Sequence, residues 1–118
     1  MLKVHANNLG TVVVLCLQGQ IVTGETETLR KAVQSLSEVS AVMLDFTRVT
    51  TIDAGGLGVM LELRELAQSK GIRFELMNVT KQISRVLEIT RLDTVFEISS
   101  EGDAQSEVTR RAEAMVGT

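Results

Sequence analysis

The sequence contains no proline, tryptophan or tyrosine, and it has only three phenylalanines and one cysteine. A single cysteine excludes an internal disulfide framework and a cysteine-rich metal site, and it is compatible with a reducing compartment. Cys16 lies inside the apolar run TVVVLCL, so we expect it to be a small core residue. With so few aromatic side chains, the core must be mainly aliphatic.

Long apolar runs and clusters of positive charge are also missing. No segment approaches the roughly 20 apolar residues that span a membrane, and no basic flank precedes an apolar stretch at the N-terminus. We therefore expect a soluble, cytoplasmic protein without membrane insertion. The net charge is −3 and the basic residues are scattered, which disfavours direct nucleic-acid binding. A length of 118 residues fits one domain, 1–118.

Hydrophobic periodicity alternates between strand and helix patterns. Residues 2–6 alternate like a half-exposed strand, and the apolar runs at 11–17 and 41–46 are typical of interior strands. The remaining predicted elements are helices at 25–37 and 56–69, a strand at 72–76 with a wetter face at Arg73 and Glu75, a short helix carrying Ile83 and Leu87, a short strand around Val95-Phe96, and a final helix with the stripe Ala104, Val108, Ala112 and Met115. This order predicts an α/β fold: a mostly parallel mixed sheet of four to five strands, with an antiparallel first strand and about four helices.

A glycine-rich corner, Thr51-Ile52-Asp53-Ala54-Gly55-Gly56-Leu57-Gly58, joins the strand at 41–46 to the second helix. Asp53 is a candidate N-cap, because its carboxylate can accept from the free amides of the first helical turn. The small residues after it would let another surface approach the backbone closely. Leu57 and Leu61, in a row continued by Arg64, lie off the predicted core face. They are either partly exposed or packed under the preceding loops.

The residues of this corner can be compared with the requirements of two kinds of active site. Gly56-Leu57-Gly58 with Glu75 downstream partly matches a dinucleotide fingerprint, but Leu61 replaces the third glycine and Asp53 would repel phosphate. For hydrolytic chemistry, the corner has no Ser, Cys or His beside its carboxylate, and His5 is predicted on a solvent face without a partner. We therefore expect neither an enzyme nor a cofactor or metal.

Three segments resemble bacterial anti-sigma factor antagonists, the stand-alone members of the STAS domain family: LQGQIVTGETETLRKAV, LDFTRVTTIDAGGLGVML and RVLEITRLDTVFEI. Within them, residues 52–58 are similar to the family motif Asp-Ser-Ser/Thr-Gly-Leu-Gly. The resemblance extends to about Ile98 and implies the SpoIIAA-like STAS fold. It also implies that the unphosphorylated protein binds an anti-sigma factor that is also a serine kinase, which frees the sigma factor. Phosphorylation of the serine after the motif aspartate switches such proteins off.

The chain departs from this motif where the switch would lie. Ala54 occupies the phosphoacceptor position and Gly55 the next hydroxyl position, although Asp53, Gly56, Leu57 and Gly58 match. Residues 19–22 read Gly-Gln-Ile-Val where the family has Gly-Glu-Leu/Ile-Asp, and Arg91 replaces a common glycine. Thr50 and Thr51 are nearby hydroxyls that could substitute as phosphoacceptors.

The resemblance therefore implies binding without the usual serine switch. The expected partner is a serine kinase-like anti-sigma factor or another protein, contacted through residues 53–58 together with Leu61 and Arg64, and homodimer formation is left open. The alternative is a STAS regulatory subunit of a lipid-transport ABC ATPase or another multiprotein complex.

Overall fold

The structure, a computed structural model, describes residues 1–99. Within that range the chain forms five strands and three α-helices: β1 (Lys3–Leu9), β2 (Val12–Ile21), α1 (Glu27–Gln34), β3 (Ala41–Ile52), α2 (Ala54–Ser69), β4 (Arg73–Met77), α3 (Lys81–Ile89) and β5 (Glu97–Ser99). The predicted final helix with Ala104, Val108, Ala112 and Met115 lies outside the described residues.

The strands form one sheet in the order β1-β2-β3-β4-β5. β1 runs antiparallel to β2, and every later neighbour is parallel. The predicted mixed α/β sheet is therefore confirmed, with β2 and β3 as interior strands. Leu15, Leu44 and Leu76 are in register across three neighbouring strands and are buried, because helices cover this face of the sheet.

Two hydrophobic clusters lie on the two faces of the sheet. The larger one combines alternate strand residues with the inner faces of α1, α2 and α3. The smaller one consists of Val12, Val14, Ala41, Met43 and Met77. Cys16 borders this smaller cluster and is only half-buried, so the expectation of a core cysteine is met only in part.

β2 and β3 are longer than their apolar runs. They remain paired until Ile21 meets Ile52, although the register shifts between Cys16 and Gln18 and again between Gly19 and Gln20. Backbone hydrogen bonding thus continues after the apolar alternation has ended. Because the two parallel strands end side by side, the segments that follow them meet at one edge of the sheet.

Three sequence predictions need correction. Glu75 is 3% exposed, because it lies near Arg73, with Nε 3.7 Å from Oε2, and accepts a hydrogen bond from the Ser99 hydroxyl. The last strand is Glu97–Ser99, since a 3₁₀ turn at Leu92–Thr94 precedes it and draws Phe96 inward against Phe74. The first helix spans Glu27–Gln34 and not 25–37, since Glu25 precedes its N-cap and pairs with the N-terminal amine at 2.7 Å.

Candidate functional site

The candidate site is the corner between β3 and α2. Ile52 ends the strand, Asp53 has an extended backbone, and the helix starts at Ala54. The Asp53 Oδ1 atom accepts from the Gly56 N–H at 2.8 Å, and the Asp53 carbonyl accepts from the Leu57 N–H at 2.9 Å. Asp53 is therefore the N-cap, as the sequence predicted.

The segment between β2 and α1 is joined to the same carboxylate. The Thr23 N–H lies 3.2 Å from Oδ1 and 3.1 Å from Oδ2 of Asp53, while the Asp53 N–H donates to the Ile21 carbonyl at 3.3 Å. Hydrogen bonds from Gly56 and then Thr23 hold the pKa of Asp53 below its ordinary value. Asp53 thus fixes a helix start and a neighbouring loop at once.

The sequence analysis did not identify Thr23. No local pattern marks it, because its role depends on the pairing of β2 with β3. The available signal was topological: two parallel neighbouring strands bring the segments after their carboxyl ends together.

The three glycines of the corner have different surroundings. A Cβ on Gly55 would overlap the Thr23 hydroxyl, and one on Gly56 would overlap the Ile21 carbonyl, whereas one on Gly58 would have no heavy atom within 4 Å. The first two glycines are therefore required by packing inside this chain. Packing inside the chain thus explains Gly55 and Gly56 without a partner, and close approach by a partner stays a prediction for Gly58.

Leu57 and Leu61 also differ. Leu57 is 7% exposed and belongs to the main core, while Leu61 and Arg64 are half-buried. Gly56 lies against the Ile21 carbonyl, so the first turn of α2 sits close to the end of β2. Of the two alternatives left open by the sequence, the structure supports packing for Leu57 and partial exposure for Leu61.

Thr50 and Thr51, whose hydroxyls the sequence offered as substitute phosphoacceptors, lie on β3 before the corner. The Thr50 hydroxyl donates to the Gly19 carbonyl at 3.2 Å, and Thr51 is half-buried. Further along α2, Glu62 pairs with Arg30 of α1 at 3.0 Å, and Arg30 also reaches Glu27 at 3.3 Å. This ion-pair network links the two helices beside the corner.

The corner presents a helix start whose capping carboxylate is fully engaged and whose exposed side chains are small. The Asp53 carboxylate is already occupied by backbone N–H groups, and Ala54 and Gly58 offer no reactive side chain. Glu75, the residue at the place where a dinucleotide fingerprint has its ribose-binding acid, is buried beside Arg73 and Ser99. Its carboxylate is therefore turned away from the corner's solvent-facing side and engaged within the sheet.

One other group of reactive side chains lies on the sheet. Cys16 is in register with His5 on β1 and with Asp45 on β3. Burial and the nearby Asp45 carboxylate raise the pKa of the Cys16 thiol, which disfavours a nucleophilic thiolate. Within residues 1–99, no three His, Cys, Asp or Glu side chains are grouped so that they could hold a metal ion.

The chain matches the family model of the STAS domain over residues 3–104 and belongs to that family. Its fold is similar to a Mycobacterium paratuberculosis anti-sigma factor antagonist, with 19% identity, 92% of this chain and 95% of the other covered, and a TM-score of 0.77. A sulfate transporter family protein of Wolinella succinogenes gives 18% identity, 87% and 88% coverage and a TM-score of 0.75.

The Bacillus cell fate determinant SpoIIAA also has this fold. Its phosphorylated form gives 19% identity, 90% and 99% coverage and a TM-score of 0.67, and its unphosphorylated form has been solved too. These likenesses establish the SpoIIAA-like STAS fold. No helix in residues 1–99 is long and apolar enough to cross a membrane.

Proposed function

We propose that this protein is a protein-binding regulator of the anti-sigma factor antagonist type. Its contact surface centres on the exposed start of α2. Ala54, Gly58 and Leu61 share one side of the helix at i, i+4 and i+7, Arg64 extends the surface, and Asp53 holds the helix start in place. The partner is an anti-sigma factor, and sequestering it releases a sigma factor for transcription.

Gly58 is the observation that carries this proposal. Glycine inside a helix costs about 0.5–1 kcal/mol relative to alanine, and Gly58 has neither a close neighbour nor a positive φ that would explain it. Gly55 and Gly56 have internal reasons, whereas Gly58 has none among the described residues. A glycine at this exposed helical position lowers the stability of the free protein, but it allows a second protein to approach the helix backbone closely.

Ala54 supports binding without a serine switch at the usual position. Phosphate on a residue here would add nearly two negative charges, whereas alanine keeps the helix start small and uncharged. A partner that recognises the unmodified surface would therefore find residue 54 always in the binding form.

The experiment compares Ala54→Glu with Gln82→Glu. Both residues are exposed in the first turn of a helix, where a carboxylate suits the helix dipole, but residue 82 lies on α3. Binding to the purified kinase-like anti-sigma factor of the native host is followed by calorimetry, and folding is followed by thermal melting. A desolvated, unpaired carboxylate costs several kcal/mol, so Ala54→Glu should weaken binding by about 100-fold or more while Gln82→Glu binds like the parent.

Two results would contradict the proposal. Either Ala54→Glu binds like the parent, or the parent itself binds the nucleotide-binding subunit of a transport ATPase and not the anti-sigma factor. The second result would assign the chain to the transport complex that the sequence left as the alternative.

A further inference from the structure

A groove of about 620 Å³ crosses β1, β2 and β3 on one face of the sheet. Cys16 lines the groove and borders the smaller hydrophobic cluster, so the groove lies on the face that carries that cluster. The polar side chains that line it are Lys3, His5, Gln18, Asp45, Thr47 and Arg48. None of them belongs to the corner between β3 and α2, so a ligand in this groove is independent of the proposed function.

Lys3 and Arg48 bring positive charge to this groove from two different strands. Both residues are exposed, and within residues 1–99 neither their side chains nor the His5 ring forms a hydrogen bond or an ion pair. The two cations are distant in the sequence, and the pairing of β1 and β3 with β2 brings them together. Their charges are therefore available to a ligand.

Asp45 is the only acid among the residues that line the groove, and its carboxylate is engaged inside the described part of the chain. Its Oδ1 atom accepts from the Thr47 N–H at 2.9 Å, from the Thr47 hydroxyl at 2.6 Å and from the Asn78 amide at 3.1 Å. Two permanent cations thus face one hydrogen-bonded carboxylate. The positive balance of the groove attracts an anion.

The register of the strands sets the spacing of the two cations. Lys3 is paired with Gln18 of β2, and Gln18 is paired with Arg48 of β3. Neighbouring strands lie about 4.8 Å apart, so the backbones of Lys3 and Arg48 are about 10 Å apart with Gln18 between them. An ammonium and a guanidinium at this spacing can hold the two ends of one short ligand.

We propose that this groove binds a small organic anion that carries two separated carboxylate groups. The planar guanidinium of Arg48 suits a bidentate contact with one carboxylate, and the ammonium of Lys3 suits a contact with the other. The Gln18 amide and the His5 ring add hydrogen-bonding groups to the same groove. A ligand with a single carboxylate would leave one of the two cations unpaired.

The first test uses the only histidine and the only cysteine of the chain, because both line the groove and report on it alone. The full chain is titrated with succinate at neutral pH and low ionic strength, and the ring protons of His5 should show a saturable NMR shift. Saturating succinate should also slow alkylation of the Cys16 thiol by about twofold or more, because the ligand covers it. A His5 signal that does not move, or an unchanged alkylation rate, would overturn the inference.

Two other anions test the spacing of the ligand's charges. Acetate has one carboxylate, and inorganic phosphate concentrates its charge in one compact group, so neither can occupy both ends of the groove. Each should bind about tenfold more weakly than succinate, as expected for the loss of one charge-assisted contact. Phosphate or acetate that binds as tightly as succinate would overturn the assignment of two separated carboxylates.

Matched variants locate the contacts. Lys3→Gln and Arg48→Gln should each weaken succinate binding about tenfold. As controls, Lys81→Gln and Arg85→Gln remove the same two kinds of charge from exposed positions on α3 beside Glu88, and they should bind within about twofold of the parent. All four variants should melt like the parent, because substitutions at exposed sites seldom change stability. An equal loss of binding in the control variants would attribute the effect to net charge and overturn the site.

Discussion

Gly56→Ala and Gly58→Ala add the same methyl group to the same helix in two different surroundings. At residue 58 the methyl enters open space, so only the helix propensity changes, and alanine gains about 0.5–1 kcal/mol over glycine. At residue 56 the methyl meets the backbone of Ile21, with the carbonyl carbon at 2.7 Å and the oxygen closer still.

The cost at residue 56 follows from what would have to move. Overpacking a core costs about 1–3 kcal/mol when neighbouring side chains can adjust. The neighbour here is a backbone carbonyl that accepts from the Asp53 N–H, so we take the upper end of that range. After subtracting the gain in propensity, Gly56→Ala should lose about 2 kcal/mol of unfolding free energy.

Thermal melting and urea unfolding at neutral pH measure both changes. At roughly 4 °C per kcal/mol for a chain of this size, Gly58→Ala should melt about 3 °C higher than the parent and Gly56→Ala about 8 °C lower. Equal melting temperatures for the two variants would refute the distinction between internal and external small residues. So would destabilisation by Gly58→Ala.

Calorimetric binding to the partner can be measured for the same two variants, Gly56→Ala and Gly58→Ala. Gly58→Ala should weaken association with the partner even though the free protein becomes more stable, because the methyl group lies on the proposed contact surface. A variant that is both more stable and equally well bound would remove the main support for a contact at Gly58.

Two further predictions concern the cap and the leucines. Asp53→Asn should lower the unfolding free energy at pH 7. Folding lowers the pKa of Asp53, so the extra stability of the parent should be fully present above the ordinary aspartate pKa of about 3.9. This extra stability should shrink as the pH falls through the lower pKa of the folded state. A stability difference in urea unfolding that does not change with pH would contradict the capping role. Leu57→Ala should lower the unfolding free energy by about 2–5 kcal/mol because it leaves a cavity, whereas Leu61→Ala, at a half-buried site, should lower it clearly less. Equal losses of unfolding free energy in denaturant would contradict the burial assigned to Leu57.

Patterns among residues close in sequence were sufficient to predict the sheet and the Asp53 N-cap. The apolar runs around Leu15 and Leu44 mark strands buried on both faces, and a carboxylate one residue before a helix can serve few other local purposes. These features depend on neighbours along the chain, so they can be read from the sequence.

Features that depend on contacts between distant residues were missed or misread. Glu75 alternates with apolar residues as if it faced solvent, but Ser99 and Arg73 cover it. Leu57 lies off the helical face expected to be buried, but in the folded chain it belongs to the main core. Thr23 has no local signature, because its partner Asp53 is 30 positions away in sequence.

The space shared by Thr23 and Gly55 couples two positions that are far apart in the chain. A serine on residue 55 would collide with Thr23, so Gly55→Ser alone should be poorly tolerated, while Thr23→Gly should make room for it. Effects of the two substitutions should then depart from additivity, as expected for residues that occupy one volume. The hydroxyl above the start of α2 can be carried by the loop or by the helix, but not by both.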